Sequence, residues 1–129
     1  MTKLDHVKAR FGGNDRTFRI AREDVSAFEA AAKEPAYALF RAFSAGHWTL
    51  YQVRTVLRFA NLDARALAAR RPLAALGMAF GMERDAEIDA VLDRNPPAQY
   101  AMLAQAILGA ALFGLDEAEA TFTDEAVDA

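Results

Sequence analysis

The chain has no cysteine and only two histidines among its 129 residues. Without cysteine there is no disulfide framework, no thiolate-ligated metal and no cysteine nucleophile, which agrees with a reducing compartment. His6 and His47 stand far apart in no HxxxH or HExxH arrangement, so the sequence spells out no zinc site. Ser26 and Ser44 lack the GxSxG nucleophile elbow. Gly12-Gly13 lacks both a Walker lysine and a dinucleotide fingerprint. Asp85, Glu87 and Asp89 copy the first three ligand positions of a calcium loop, but Ala90 stands where the glycine belongs and no glutamate follows at the twelfth position. With that kit of groups missing, neither an enzyme nor a cofactor is expected. Long hydrophobic runs are also lacking, apart from 98–115. That stretch is interrupted by Gln99 and Gln105 and followed by acids rather than Lys/Arg, so it does not read as a membrane span. The first five residues carry Lys3 and Asp5 with no apolar run behind them, so no secretory leader is expected.

Hydrophobic residues make up 53% of the chain and charged residues 26%, the balance of one globular domain with a real core. The net charge of −3 hides an asymmetry: +4 over residues 1–22, +2 over 23–82 and −9 over 83–129. A basic front and an acidic back suggest a partner of opposed charge or head-to-tail self-association.

Val7-Lys8-Ala9-Arg10-Phe11 alternates apolar and basic residues, and so does Arg16-Thr17-Phe18-Arg19-Ile20. Gly12-Gly13-Asn14-Asp15 lies between them, rich in residues that accept positive φ. The pattern predicts an antiparallel hairpin over 7–20. With Gly13-Asn14 as the turn, Ala9 would face Phe18 and Val7 would face Ile20, leaving Lys8, Arg10, Thr17 and Arg19 on the other face. A lone hairpin is marginal in water, so it must lie on the helical part.

The remainder reads as helical. Glu23 and Asp24 sit favourably at a helix start, and Val25, Phe28 and Ala32 form a stripe that ends before Pro35. Pro35 opens a helix with Leu39, Phe40 and Phe43 inward, and Gly46 is its left-handed stop. Thr49 and Gln52 form a capping box, followed by Val53, Val56, Leu57 and Ala60 on one face and Arg54 and Arg58 on the other. Asp63 could cap a short helix carrying Leu67, and Pro72 restarts an apolar stretch to Met82. A helix over 85–94 buries Ile88, Val91 and Leu92, and Asn95-Pro96-Pro97 breaks it. A long apolar helix then runs over 98–115. The expected fold is α+β and mainly helical: an N-terminal two-stranded hairpin on five to six short helices, compact over 1–115, with an acidic, flexible tail over 116–129 from which Phe122 and Val127 could dock.

The helix–glycine–helix order over 36–60 has the outline of a helix-turn-helix, with Arg54, Arg58, Arg65, Arg70 and Arg71 near it. The base-reading cluster is missing from the start of the second helix, which runs Leu50-Tyr51-Gln52-Val53, and the whole chain is acidic. A DNA-binding regulator is therefore an alternative reading and not the leading one.

The chain resembles the small tail assembly chaperones of tailed phages and gene transfer agents, a family also labelled tail tube-like. Five patterns carry the resemblance over residues 7–114. They are the strand ending Phe18-Arg19-Ile20, the helix Val25-Ser26-Ala27-Phe28-Glu29, the turn Phe43-Ser44-Ala45-Gly46-His47-Trp48, the helix Val53-Arg54-Thr55-Val56-Leu57-Arg58 and the closing Ile107-Leu108-Gly109-Ala110-Ala111-Leu112-Phe113-Gly114. Where the family has a glycine-rich turn after the Val-Leu-Arg helix, this chain has Ala60-Asn61-Leu62-Asp63. Twelve arginines against three lysines, with abundant alanine, agree with a GC-rich bacterial or phage genome. The resemblance implies a non-enzymatic, cytoplasmic protein that holds the tape measure protein, tail tube subunits or both during tail assembly. The alternative within the same setting is a structural tail subunit retained in the particle. Trp48, Tyr51, Tyr100, Leu103, Leu112 and Phe113 are the candidate client or self contacts. For Leu103 and Leu112, burial in the core is the reading that residue type favours.

Overall fold

The computed structural model describes residues 3–61, 86–116 and 120–123. Strand β1 (His6–Phe11) pairs antiparallel with β2 (Asn14–Arg19). Gly12 and Gly13 form the turn between them, at φ 64° and 83°. A two-residue turn that matches strand twist needs positive φ at both central positions, and two glycines meet that need without a Cβ clash. The observed register therefore differs from the expected one: Val7 lies opposite Phe18 and Ala9 opposite Arg16. The displacement is two residues, so both faces survive it, whereas a slip of one would have inverted them. Val7, Ala9, Phe11 and Phe18 are buried, while Lys8 and Arg10 are exposed.

A 3-10 turn, Arg22–Asp24, holds Glu23 and Asp24 and leads into α1 (Val25–Ala32), which buries Phe28 and Ala32. Lys33 ends α1 in the left-handed conformation at φ 62°. Helix α2 (Ala36–Ala45) begins after Pro35, as the sequence predicts. Its first free N–H, at Ala36, donates to the Glu29 carboxylate of α1 at 2.7 Å, so the preceding helix supplies the cap. Gly46 stops α2 at φ 80°. The His47 N–H reaches the Ala42 carbonyl at 2.8 Å and the Gly46 N–H reaches that of Phe43 at 3.2 Å, which satisfies two orphan carbonyls. Helix α3 (Leu50–Ala60) opens on the expected capping box: the Gln52 N–H donates to Thr49 Oγ1 at 3.2 Å and the Thr49 N–H to Gln52 Oε1 at 2.9 Å. It buries Val53, Val56, Leu57, Phe59 and Ala60.

The readings of a helix around Asp63 and Leu67, of Pro72 to Met82 and of Arg65, Arg70, Arg71 and Asp85 fall outside the described residues. Helix α4 (Ala86–Arg94) buries Ile88, Val91 and Leu92. Helix α5 (Ala98–Leu112) follows the two prolines and touches α2, α3, β1 and β2. Its buried residues, Tyr100, Ala101, Leu103, Ala104, Ile107, Leu108, Gly109 and Ala110, form the centre of the core. There the Phe11 ring meets Tyr100 edge-on at 5.3 Å and Phe18 at 5.9 Å. Burying each such ring or leucine stabilises the fold by about 1.5–3 kcal/mol.

Two features beyond α5 differ from the sequence reading. The helix ends at Leu112, not Leu115, because Gly114 turns to φ 81° where Lys3 crosses it. A Cβ on Gly114 would lie 2.5 Å from the Lys3 Cβ. The segment expected to be a flexible tail also returns to the domain. Leu115 bridges Leu4, the Lys3 ammonium meets Asp116 at 2.7 Å, and Ala120 is buried. Strand β3 (Thr121–Thr123) then lies parallel to β1, giving the order β2-β1-β3, with Phe122 in register with Ala9. Thr-Phe-Thr is a β-favouring triplet, and it pairs with the edge of β1 that β2 leaves open. The result is an α+β, mainly helical fold with the antiparallel hairpin packed on the helices.

Candidate functional site

Helices α2 and α5 run antiparallel: Tyr37 meets Phe113 edge-on, Phe40 meets Gly109 and Phe113, and Ser44 meets Gln105. On their outer side lies an open groove of about 430 Å³, lined by Phe40, Met102, Gln105, Ala106, Gly109, Phe113 and Leu115. None of these residues is charged. The Phe113 ring packs edge-on against Phe40 at 5.4 Å and Tyr37 at 6.1 Å, so its exposed position is held by aromatic contacts. Met102 is 66% exposed, Phe113 58% and Tyr37 53%. Gly109 forms the floor, where an added Cβ would press on Phe40 Cε1 at 3.3 Å. These are the largest exposed apolar side chains that share one surface, and contiguous apolar patches on soluble proteins commonly mark contact sites.

The six residues singled out from the sequence do not form one site. Phe113 lies in the groove, and Leu112 beside it is half-buried against the core. Tyr100 and Leu103 are core residues at 3% and 4% exposure, so their surfaces are already covered. Trp48 packs half-buried against the core from the α2–α3 link. Tyr51 is exposed, and its hydroxyl donates to the Ala31 carbonyl at 3.1 Å, tying α3 to α1. Sequence reasoning missed Tyr37 and Met102. The α2 stripe implied Tyr37, since Leu39, Phe40 and Phe43 inward leave it outside. Met102 had only a weak signal, Gln99 and Gln105 three residues to either side on its face, because α5 is otherwise apolar on nearly every side.

The charged clusters are paired internally, although the Nε atoms of Arg54 and Arg58 are buried without a hydrogen-bond partner. Arg58 Nη2 donates to both Asp89 oxygens at 2.8 and 2.7 Å, and Arg54 lies 3.3 Å from Asp89 and 3.6 Å from Asp93. The arginines expected on a free face of α3 thus hold α4 against it. Arg19 donates to Asp5 at 2.9 Å, which holds the Asp5 carboxyl below the ordinary range and raises Arg19. His6 is 3.5 Å from Asp5. A second cavity of about 460 Å³ lies against the hairpin and β3, where Arg10 faces Asp15 at 3.5 Å. No group of three or more potential metal ligands occurs among the described residues. None of their helices is long and apolar enough to cross a membrane. No protein-family model, curated protein or solved structure matches this chain.

Proposed function

We propose that the protein is a non-enzymatic assembly chaperone of the phage-like tail type, which holds apolar helical segments of a tape measure protein, tail tube subunits or both in the cytoplasm of the producing cell. The observation that carries this reading is the uncharged α2/α5 groove, with Met102 and Phe113 exposed along it and the exposed Tyr37 packed edge-on against Phe113. A protein that only had to fold would gain by covering or polarising these side chains, whereas a holder of apolar helices uses them. The resemblance over 7–114 supplies the identity of the client. The DNA alternative loses support, because Arg54 and Arg58 are engaged by Asp89 and Asp93.

Co-expression with the tape measure protein and mass spectrometry of purified particles form the test. The chaperone reading expects a soluble complex with the tape measure protein and absence from finished particles. Stoichiometric retention in particles would instead make the chain a structural tail subunit, the second reading within the same family.

A further inference from the structure

We infer that the α2/α5 groove docks a single amphipathic helix with an uncharged apolar ridge about three turns long and acidic residues along its flank. Three observations select this occupant. The first is charge. Helix α5 contains no Asp, Glu, Lys or Arg, and α2 contains one charge, Arg41. Arg41 is exposed one turn along α2 from Tyr37, so the two share a face. In a chain of net charge −3, neither helix beside this groove carries a carboxylate, Arg41 stands exposed on the outer face of α2, and Asp116, next to the lining Leu115, is paired with Lys3. A helix flanked by Glu or Asp is attracted there, and one flanked by Lys is not.

The second observation is area. Met102, Phe113 and Tyr37 each expose between half and two-thirds of their surface, on the order of 350 Å² together for side chains of this size. A stable protein–protein interface needs about 800 Å² per partner. These three side chains supply less than half of that, which suits a reversibly held helical ridge better than a permanent dimer. The third is length. Met102 and Phe113 bound the groove along α5, and eleven residues of helix rise about 16 Å. A ridge at positions i, i+4, i+7 and i+11 of a partner spans that distance. Phe40 and Leu115 flank the Gly109 floor, 3.3 and 3.8 Å from where a Cβ would stand, and they leave a shallow groove, so the ridge is built of Ala and Leu sooner than of aromatic residues.

The inference rests on the chaperone reading only for the biological source of that helix. The test uses the intact protein and two labelled synthetic peptides, each with the same Ala/Leu ridge, one flanked by Glu and one by Lys. Fluorescence anisotropy should show tighter binding of the Glu-flanked peptide, by roughly fivefold or more at low salt. Met102→Glu should cut that binding at least tenfold while circular dichroism and melting stay unchanged, and Phe113→Ala should weaken it similarly. Arg41→Ala should erase most of the flank preference and leave ridge binding in place. Equal or better binding of the Lys-flanked peptide overturns the inference. So does indifference to both Met102→Glu and Phe113→Ala, or a dimer in solution that Met102→Glu dissociates. The two readings fail separately. Glu-flanked binding without tape measure capture removes the chaperone and keeps the groove. Tape measure capture that ignores Met102→Glu removes the groove and keeps the chaperone.

Discussion

Helices α3 and α5 solve the same packing problem in opposite ways. Each buries one side against the hairpin and the other helices. Helix α3 marks its outer side with Arg54 and Arg58, and α4 answers with Asp89 and Asp93. That side is closed by charge at Arg54 and Arg58, while Leu50 and Tyr51 at its start stay exposed. Helix α5 carries no charge on its outer side: its outer residues are Met102, Gln105 and Ala106, and no element of the described fold covers Met102. The difference shows that burial and recognition can share one uniform apolar sequence, with the fold alone deciding which residues do which. On α3 polarity is assigned by sequence, and on α5 it is assigned by position.

The sharpest way to break this comparison is to truncate the two faces of α5 separately. Leu108 is fully buried, so Leu108→Ala removes packing and leaves a cavity. It should destabilise the protein by about 2–5 kcal/mol. Met102→Ala on the outer face should cost less than about 0.5 kcal/mol. Urea denaturation of both variants measures the split. Similar losses at the two positions would mean that Met102 is already covered, and the contrast with α3 would collapse.

The same contrast explains what was legible beforehand. The hairpin, the Gly46 stop, the Thr49/Gln52 box and the inward faces of α3 and α4 all follow from local chemistry with a period. The hairpin register was off by two, because alternation fixes faces while turn geometry fixes partners. Strand β3 was hidden because three residues cannot form a strand alone, and only the waiting edge of β1 makes Thr121–Thr123 one. The groove was half legible. Phe113 stood out at the end of α5, but Tyr100 and Leu103 looked equivalent to it and proved to be core. No periodicity separates inner from outer in a run such as Ala101-Met102-Leu103-Ala104.

On α3, Arg58→Ala tests whether charge really closes its outer side. Arg58 and Asp89 have side chains only about one-fifth exposed, at 20% and 21%. Removing the guanidinium leaves a half-buried carboxylate with Arg54 as its remaining partner, and should cost about 1–3 kcal/mol. A double-mutant cycle with Asp89→Asn should return a coupling of about 1 kcal/mol or more. No coupling would reduce the pair to a solvated contact and leave α3 as open as α5. A smaller effect is expected at the start of the same helix. Thr49→Ala removes one half of the capping box and should lower stability by about 1 kcal/mol, read as a shift in urea midpoint with an unchanged slope.

The smallest effect tests whether surface charge stabilises the hairpin as buried charge stabilises α3. Arg19 hydrogen-bonds Asp5 at 2.9 Å and lowers the Asp5 pKa in the folded state. A depressed carboxylate stabilises the fold above its unfolded pKa, near about pH 4, and that contribution disappears as pH falls through the lower folded value. The side chains are 38% and 54% exposed, so solvent screening limits the contribution to a few tenths of a kcal/mol. Asp5→Asn should therefore lower the urea midpoint slightly at neutral pH, and the gap from the wild type should close as the pH is lowered below about 4. Added salt should shrink the neutral-pH gap as well, because exposed pairs are screened more than the partly buried Arg58–Asp89 pair. If the gap stayed constant with pH, the Asp5 charge would be irrelevant and its effect would come from shape alone. If it survived high salt, the hairpin pair would belong with the closed face of α3 and not with the solvated surface.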